Sequence, residues 1–225
     1  MVTRFLGSAQ SPMINGLVEN HYNPWSADQR KEDPNYFKVL ARQHKPKVMW
    51  IGCSDARLAI YQKMGLPLGE VFICRNIANQ TNHTSARAAV SYAVKVLGVK
   101  QIIVCGHYKC GGIKGALNRS QISDPSLHRW LEPIERLAIA HQDILNSLGP
   151  RKKPQRLSEL NVWDQVSRIG RMRCVQEAWA DGAKLAVDGL VFDMGQGLLI
   201  GAGSVSSREQ WLEYRQAPQP LVTLT

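Results

Sequence analysis

The apolar positions of this chain fall into short continuous runs separated by longer stretches with helical spacing. Lys47 to Gly52, Val71 to Cys74 and Gln101 to Cys105 are runs of strand length, the last the most strand-like of all. Continuous apolar runs bounded by turn residues suit strands buried on both faces. Thr84 to Leu97 carries small and apolar residues in helical register, with Gly98 as its stop. Further helices are predicted at 112 to 119, 127 to 147 and 157 to 180, the last ending at Asp181-Gly182. From residue 26 to 44 the helical spacing is interrupted at Asp33-Pro34. This predicts a short helix and then a second, with Tyr36, Phe37, Leu40 and Ala41 on its apolar face. Lys184 to Asp193 and Gly197 to Gly201 predict strand, turn, strand.

Strands alternating with helices define an α/β class, with a mainly parallel central sheet flanked by helices on both faces. The late pair supplies an antiparallel edge. At 225 residues, 44% of them hydrophobic, the chain can bury one substantial core and nothing demands a second. The expected organisation is a flexible segment over 1–20 and a single domain over 21–225. In open parallel sheets, ligands gather beyond the carboxyl ends of the strands.

Three soft-metal ligands stand at those ends. Cys53 closes the first run, and His107 with Cys110 closes the third. Zinc takes thiolate and imidazole in a tetrahedral shell, and a catalytic site leaves one place open. Asp55, two residues past Cys53, can either fill that place or pair with Arg57. The options exclude each other, because a carboxylate gripped bidentately by a guanidinium has turned its oxygens from the metal. A cysteine nucleophile is disfavoured, since a thiolate tied to zinc is a poor one. His21, His44, His83, His128 and His141 show no ligand spacing. Gly111-Gly112 lacks the Gly-Lys-Ser/Thr ending of a phosphate loop, so tight turning at the metal is its expected role.

Four ordered motifs then carry a resemblance: Cys53-Ser-Asp-Ala-Arg57, Val71-Phe-Ile-Cys-Arg-Asn-Ile-Ala-Asn79, Cys105-Gly-His-Tyr-Lys-Cys-Gly-Gly112 and Glu159-Leu-Asn-Val162. In these the chain resembles the beta-class carbonic anhydrases. The resemblance implies reversible hydration of carbon dioxide to bicarbonate and a proton, at one zinc per subunit held by Cys53, His107 and Cys110. It implies Asp55 and Arg57 as a catalytic dyad, with Asp55 also able to close the site as a fourth ligand. It further implies a helical arm over 21–45 and a homodimer or a dimer of dimers, to which Leu212–Thr225 contributes an extension. Three features depart from the family pattern: Leu58 to Gln62 is bulkier beside the dyad, Cys74 stands where many members carry His, and Phe192 stands for the Tyr that completes, with Trp50 and Arg75, the set of members that bind bicarbonate as an inhibitor, so regulation by bicarbonate is not expected. The same chemistry on carbonyl sulfide or carbon disulfide, or a non-enzymatic zinc protein with Asp55 as permanent ligand, are the alternatives.

Charge refines the choice of partner. The net charge is +10 with a pI near 9.6. The densest basic cluster, Arg151-Lys152-Lys153 with Arg156, is broken by Pro150 and Pro154 and reads as a solvated loop between helices. No aromatic-interleaved basic stripe or nucleic-acid motif accompanies it, so nucleic acid is not an expected partner. No apolar run approaches a membrane span of about 18 residues, and residues 1–20 do not show a charged patch followed by an apolar block and a small-residue cleavage site. Five cysteines, an odd count, argue against a full disulfide framework. The expected compartment is the cytoplasm, with organelle import the less favoured alternative: residues 1–20 hold no acid before Glu19 but only one basic residue, Arg4. Cys74, Cys105 and Cys174 are expected to pack as small hydrophobes.

Overall fold

The computed structural model describes residues 12–58 and 64–217. Two compact units divide the chain, residues 1–44 and 45–225.

In the first unit, α1 (Pro12–Leu17) runs through a π-helical turn (Val18–Tyr22) into α2 (Asn23–Glu32), and α3 (Tyr36–Arg42) follows. The break falls at Asp33-Pro34 as the sequence predicts. A proline disfavours helical geometry in the residue before it, and Asp33 has left the helix at φ −138° and ψ 106°. The Asp33 carboxylate accepts the Asn35 N–H at 2.8 Å, which turns the chain into α3. Trp25 meets Phe37 edge to face at 5.8 Å and the Arg30 guanidinium lies over the Phe37 ring, so aromatic contacts hold α2 to α3.

The second unit is built on five strands: β1 (Val48–Cys53), β2 (Val71–Asn76), β3 (Gln101–His107), β4 (Ala186–Asp193) and β5 (Leu198–Val205). Their order is β2-β1-β3-β4-β5. The first four are parallel and β5 is antiparallel to β4, giving the expected mainly parallel sheet with an antiparallel edge. Alternate residues feed two cores. Met49, Ile51, Ile102, Val104, Val187 and Val191 face one, while Trp50, Ile103, Cys105 and Leu190 face the other. Burial on both faces is why these strands read as continuous apolar runs.

Helices cover both faces. The first core is closed by α4 (Thr84–Tyr92), which continues as a π-helical turn to Leu97, and by α8 (Lys152–Gly170), α9 (Arg173–Ala180) and α10 (Arg208–Gln216). The second is closed by α5 (Gly111–Leu117), α6 (Pro125–Ala140), α7 (Gln142–Asn146) and again α8. Gly98 ends the α4 segment at φ 64°, a left-handed stop that glycine adopts without strain.

Three expectations are corrected. The helix over 127–147 is two helices parted at His141, and that over 157–180 is two parted at Arg171-Met172, where Met172 is extended at ψ 137°. The cluster Lys152, Lys153 and Arg156 is not a loop. It forms the first turns of α8, because a proline at 154 costs nothing where the N–H would be unbonded anyway. Arg156 is 5% exposed rather than solvated.

Candidate metal centre

The strand order places the site. From β1 the chain moves to β2 on one side, then returns to β3 on the other, so the connections leave β1 and β3 in opposite directions. A crevice opens at such a switch point beyond the carboxyl ends of the strands. Cys53 is the last residue of β1 and His107 the last of β3, while Cys110 sits immediately before α5. All three are buried, and their ligand atoms lie within 4.8 Å of one another.

The chemistry of these atoms fits a metal ion. The two Sγ atoms are 3.9 Å apart, far beyond a disulfide bond. The edge of a tetrahedron with zinc–sulfur bonds of about 2.3 Å is about 3.8 Å. His107 Nδ1 lies 3.0 Å from the Tyr108 carbonyl, the hydrogen bond that fixes the tautomer with Nε2 unprotonated. His107 Nε2 is then a buried nitrogen with no hydrogen-bond partner among the described residues. A lone pair withheld from both water and protein is what a ligand nitrogen presents.

Backbone donors favour thiolate at this place. The Ala78 N–H points at Cys53 Sγ over 3.4 Å, and the amides of Gly112 and Ile113 at the start of α5 serve Cys110. With its neighbour Cys110 donating S–H to it, Cys53 is drawn down to about 4, while Cys110 is pushed well above the usual thiol range by holding that proton. A second ionisation thus needs a cation between the sulfurs.

The turn that carries Ala78 is strained and tightly held. Ala78 and Asn79 have φ of 58° and 49°, left-handed values uncommon in side-chain-bearing residues. Asn161 Nδ2 and Gln80 Nε2 both donate to the Ala78 carbonyl, at 3.0 and 3.1 Å, and Asn76 brackets Gln80 through both its amide groups. Gly112 lets α5 press against this turn, since a Cβ there would meet Ile77 Cγ2 at 2.8 Å. That is the role of Gly112, whereas the sharp turn after His107 falls on Lys109, at φ 60°. On the other side, Tyr108 donates its hydroxyl to Glu159 at 2.7 Å, and Glu159 is paired with Arg156 at 2.9 Å inside the protein. The motif Glu159-Leu-Asn-Val162 therefore fastens the backbone on both sides of the ligands.

Asp55 stands outside the three-residue cluster. Arg57 grips its carboxylate bidentately, Nε to Oδ1 at 2.9 Å and Nη2 to Oδ2 at 2.7 Å, and the Arg57 N–H adds a third bond. The guanidinium holds the Asp55 carboxyl well below the usual carboxylate range. Arg75 fixes the backbone between them and the ligand, donating to the carbonyls of Cys53 and Asp55 at 2.9 and 2.7 Å. Arg75, Asn161 and Glu159 lie in the sequence motifs, which do not by themselves disclose this clamping role, and Gln80 lies just outside them. Gln165, which accepts from Thr81 N–H and Oγ1, carried no sequence signal. Ala59 to Gln62 of the bulky stretch lie outside the described residues.

Fold and site together define a class: an α/β protein with a buried Cys-His-Cys centre at the switch point of a mainly parallel sheet. Residues 48–199 match the family model for carbonic anhydrase. The chain is 37% identical over 178 residues to a carbonic anhydrase of Emericella nidulans, covering 78% of this chain and 77% of that protein. Its structure is similar, at a TM-score of 0.79, to a tetrameric beta-carbonic anhydrase of Sordaria macrospora with 32% identity, covering 86% and 98% of the two chains. A beta-carbonic anhydrase of Aspergillus fumigatus gives the same TM-score at 33% identity, over 91% and 97%. The chain belongs to the beta-carbonic anhydrase family and is an enzyme of that class.

Proposed function

We propose that the protein catalyses the reversible, zinc-dependent hydration of carbon dioxide to bicarbonate and a proton. The observation that carries this reading is the convergence of Cys53, His107 and Cys110 within 4.8 Å, with the His107 Nε2 lone pair buried and unshared. Zinc held by Cys53 Sγ, His107 Nε2 and Cys110 Sγ would supply Lewis acidity that brings the pKa of a water toward neutrality.

The remaining work falls to the chain. Asp55, ionised and aimed by Arg57, accepts the hydrogen bond of the attacking oxygen, so that the lone pair rather than the O–H faces the carbon of the substrate. Arg57 and Arg75 fix that acceptor through its side chain and its carbonyl. Trp50, Leu58 and Cys105 pack as buried side chains beside Cys53. Release of Asp55 by Arg57 would free the carboxylate to become a fourth protein ligand to the metal and shut the site. We place the working assembly as a dimer or a dimer of dimers, in line with the tetrameric Sordaria relative.

The test is stopped-flow hydration of carbon dioxide by the protein as isolated, after chelation, and after return of zinc. Loss on chelation and recovery with zinc but not magnesium supports the proposal. Equal activity in all three samples overturns it.

A further inference from the structure

The turn between two of the metal ligands has a backbone that its residues do not favour. His107 ends β3, Cys110 precedes α5, and Tyr108 and Lys109 make the turn between them. Lys109 has φ 60°, while Tyr108 keeps a negative φ. A turn in which the second central residue alone is left-handed is type II in sense, a place for glycine or asparagine. Lysine is uncommon there. Its side chain gives no reason for the choice, being exposed and without an ion pair or hydrogen bond among the described residues.

What the left-handed residue secures is the direction of a carbonyl. Turns of types I and II differ chiefly in the peptide between the two central residues, which is turned over by about half a rotation. Here that peptide joins Tyr108 to Lys109, and its carbonyl is the group 3.0 Å from His107 Nδ1. Were Lys109 to relax to a right-handed φ, the carbonyl would turn away and the imidazole would lose the partner that fixes its tautomer and aims Nε2. Tyr108 is pinned against that movement at both ends. Its N–H donates to the Phe192 carbonyl at 3.0 Å, and its hydroxyl donates at 2.7 Å to Glu159, which Arg156 holds in turn at 2.9 Å. Tyr108, Glu159 and Arg156 are all buried, so these bonds are shielded from water.

We propose that Lys109 is a positioning residue of the metal centre: its left-handed backbone, not its ammonium group, turns the Tyr108 carbonyl onto His107 Nδ1, and the bond from Tyr108 to Glu159 locks it there. This rests on the reading of His107 as a zinc ligand. Position 109 is then sensitive to backbone preference and indifferent to charge.

The test returns zinc to the parent and to Lys109→Gly, Lys109→Asn, Lys109→Val and Tyr108→Phe, and times its release to excess chelator. Glycine and asparagine accept a left-handed backbone, so Lys109→Gly and Lys109→Asn should hold zinc at least as long as the parent. Valine is branched at Cβ and resists positive φ; Lys109→Val should release zinc about 10- to 100-fold faster, the usual effect of losing the outer partner of a metal-bound histidine. Tyr108→Phe removes the lock and should release it at least about threefold faster. With cobalt(II) in place of zinc, at saturating metal, the visible ligand-field bands report ligand geometry. They should shift in Lys109→Val and Tyr108→Phe and overlay the parent in Lys109→Gly and Lys109→Asn, which separates a turned His107 from a less stable fold. Equal acceleration in all three Lys109 variants would assign the effect to the lost charge and overturn the proposal. Parental release and parental cobalt bands in Lys109→Val would overturn it too, and the same result in Tyr108→Phe would overturn the lock. Should Lys109→Val not fold, zinc release from Lys109→Gly and Lys109→Asn faster than from the parent would still overturn it. The readout is metal retention, so the ranking is decided whether or not the protein hydrates carbon dioxide.

Discussion

Asp55 and Arg57 show how a sequence can leave the state of one side chain open. The spacing in Cys53-Ser-Asp-Ala-Arg57 offers two geometries for the carboxylate, and only coordinates distinguish a salt bridge from a metal bond. Here the salt bridge is formed, with both carboxylate oxygens taken by Arg57. Because its pKa is depressed, Asp55 stays ionised down to strong acid, and the pair is lost only as pH falls below the ordinary carboxylate range. Asp55→Ala should therefore keep zinc and lose turnover on the order of a hundredfold or more, the scale of a positioned proton acceptor. Full activity in that variant, measured beside its zinc content, would remove Asp55 from the mechanism. The meeting of Cys53, His107 and Cys110 was legible because the three stand at the ends of neighbouring strand-like runs. Gln165 and Gln80 were not, because a buried glutamine has no spacing rule of its own and is defined by the backbone it happens to meet.

Elements were legible where pattern and punctuation agreed. Every predicted strand formed, within a few residues, since short apolar runs bounded by turn residues suit strands. The breaks at His141 and Met172 carried no proline or matching glycine stop, so helical periodicity ran through them. Helix α10 was missed, although Ser207 and Gln210 form a capping pair three residues apart, with Gln210 N–H bonded to Ser207 Oγ at 3.2 Å. Trp211 then buries its ring and donates to the Ser167 carbonyl at 2.9 Å, and this long-range contact, absent from local pattern, is what seats the helix. Two predictions belong at this scale. Gly112→Ala in α5 would ordinarily favour the helix, but its Cβ meets Ile77 and Ala78; the expected cost is about 1 to 3 kcal/mol. Zinc should also leave the variant faster in a chelator challenge; unchanged melting and unchanged zinc loss would show that α5 does not brace the turn. Glu159→Gln removes the negative charge that Arg156 meets inside the protein and weakens the bond from Tyr108, an expected loss of about 1.5 to 3 kcal/mol or roughly 3 to 12 °C in melting temperature. A melting temperature within about 2 °C of the parent would contradict that reading of the pair.

Across the whole molecule, the fold divides the basic residues between surface and interior. Arg87 and Arg171 stay exposed, whereas Arg156, part of the densest basic run, is held in a buried ion pair. The cysteines divide in the same way, two into the metal centre and the others into or against the cores. Burial raises the Cys174 pKa in the folded state. The unfolded chain then gives up that proton first, so stability falls as pH rises past the ordinary thiol value of about 8.5. The alkaline decline of melting temperature should be shallower in Cys174→Ala than in the parent, and an identical slope would argue that Cys174 titrates normally. The central claim concerns the metal and its reaction together. It is tested most directly by measuring zinc per chain and carbon dioxide hydration on the same samples of the parent and of Cys110→Ser, from about pH 6.5 to 9 to bracket the pKa of a zinc-activated water. One zinc per chain and turnover that rises with pH in the parent, both largely lost in Cys110→Ser, is the expected result. A full complement of zinc with no turnover at any pH, or turnover that survives loss of the metal, would contradict it.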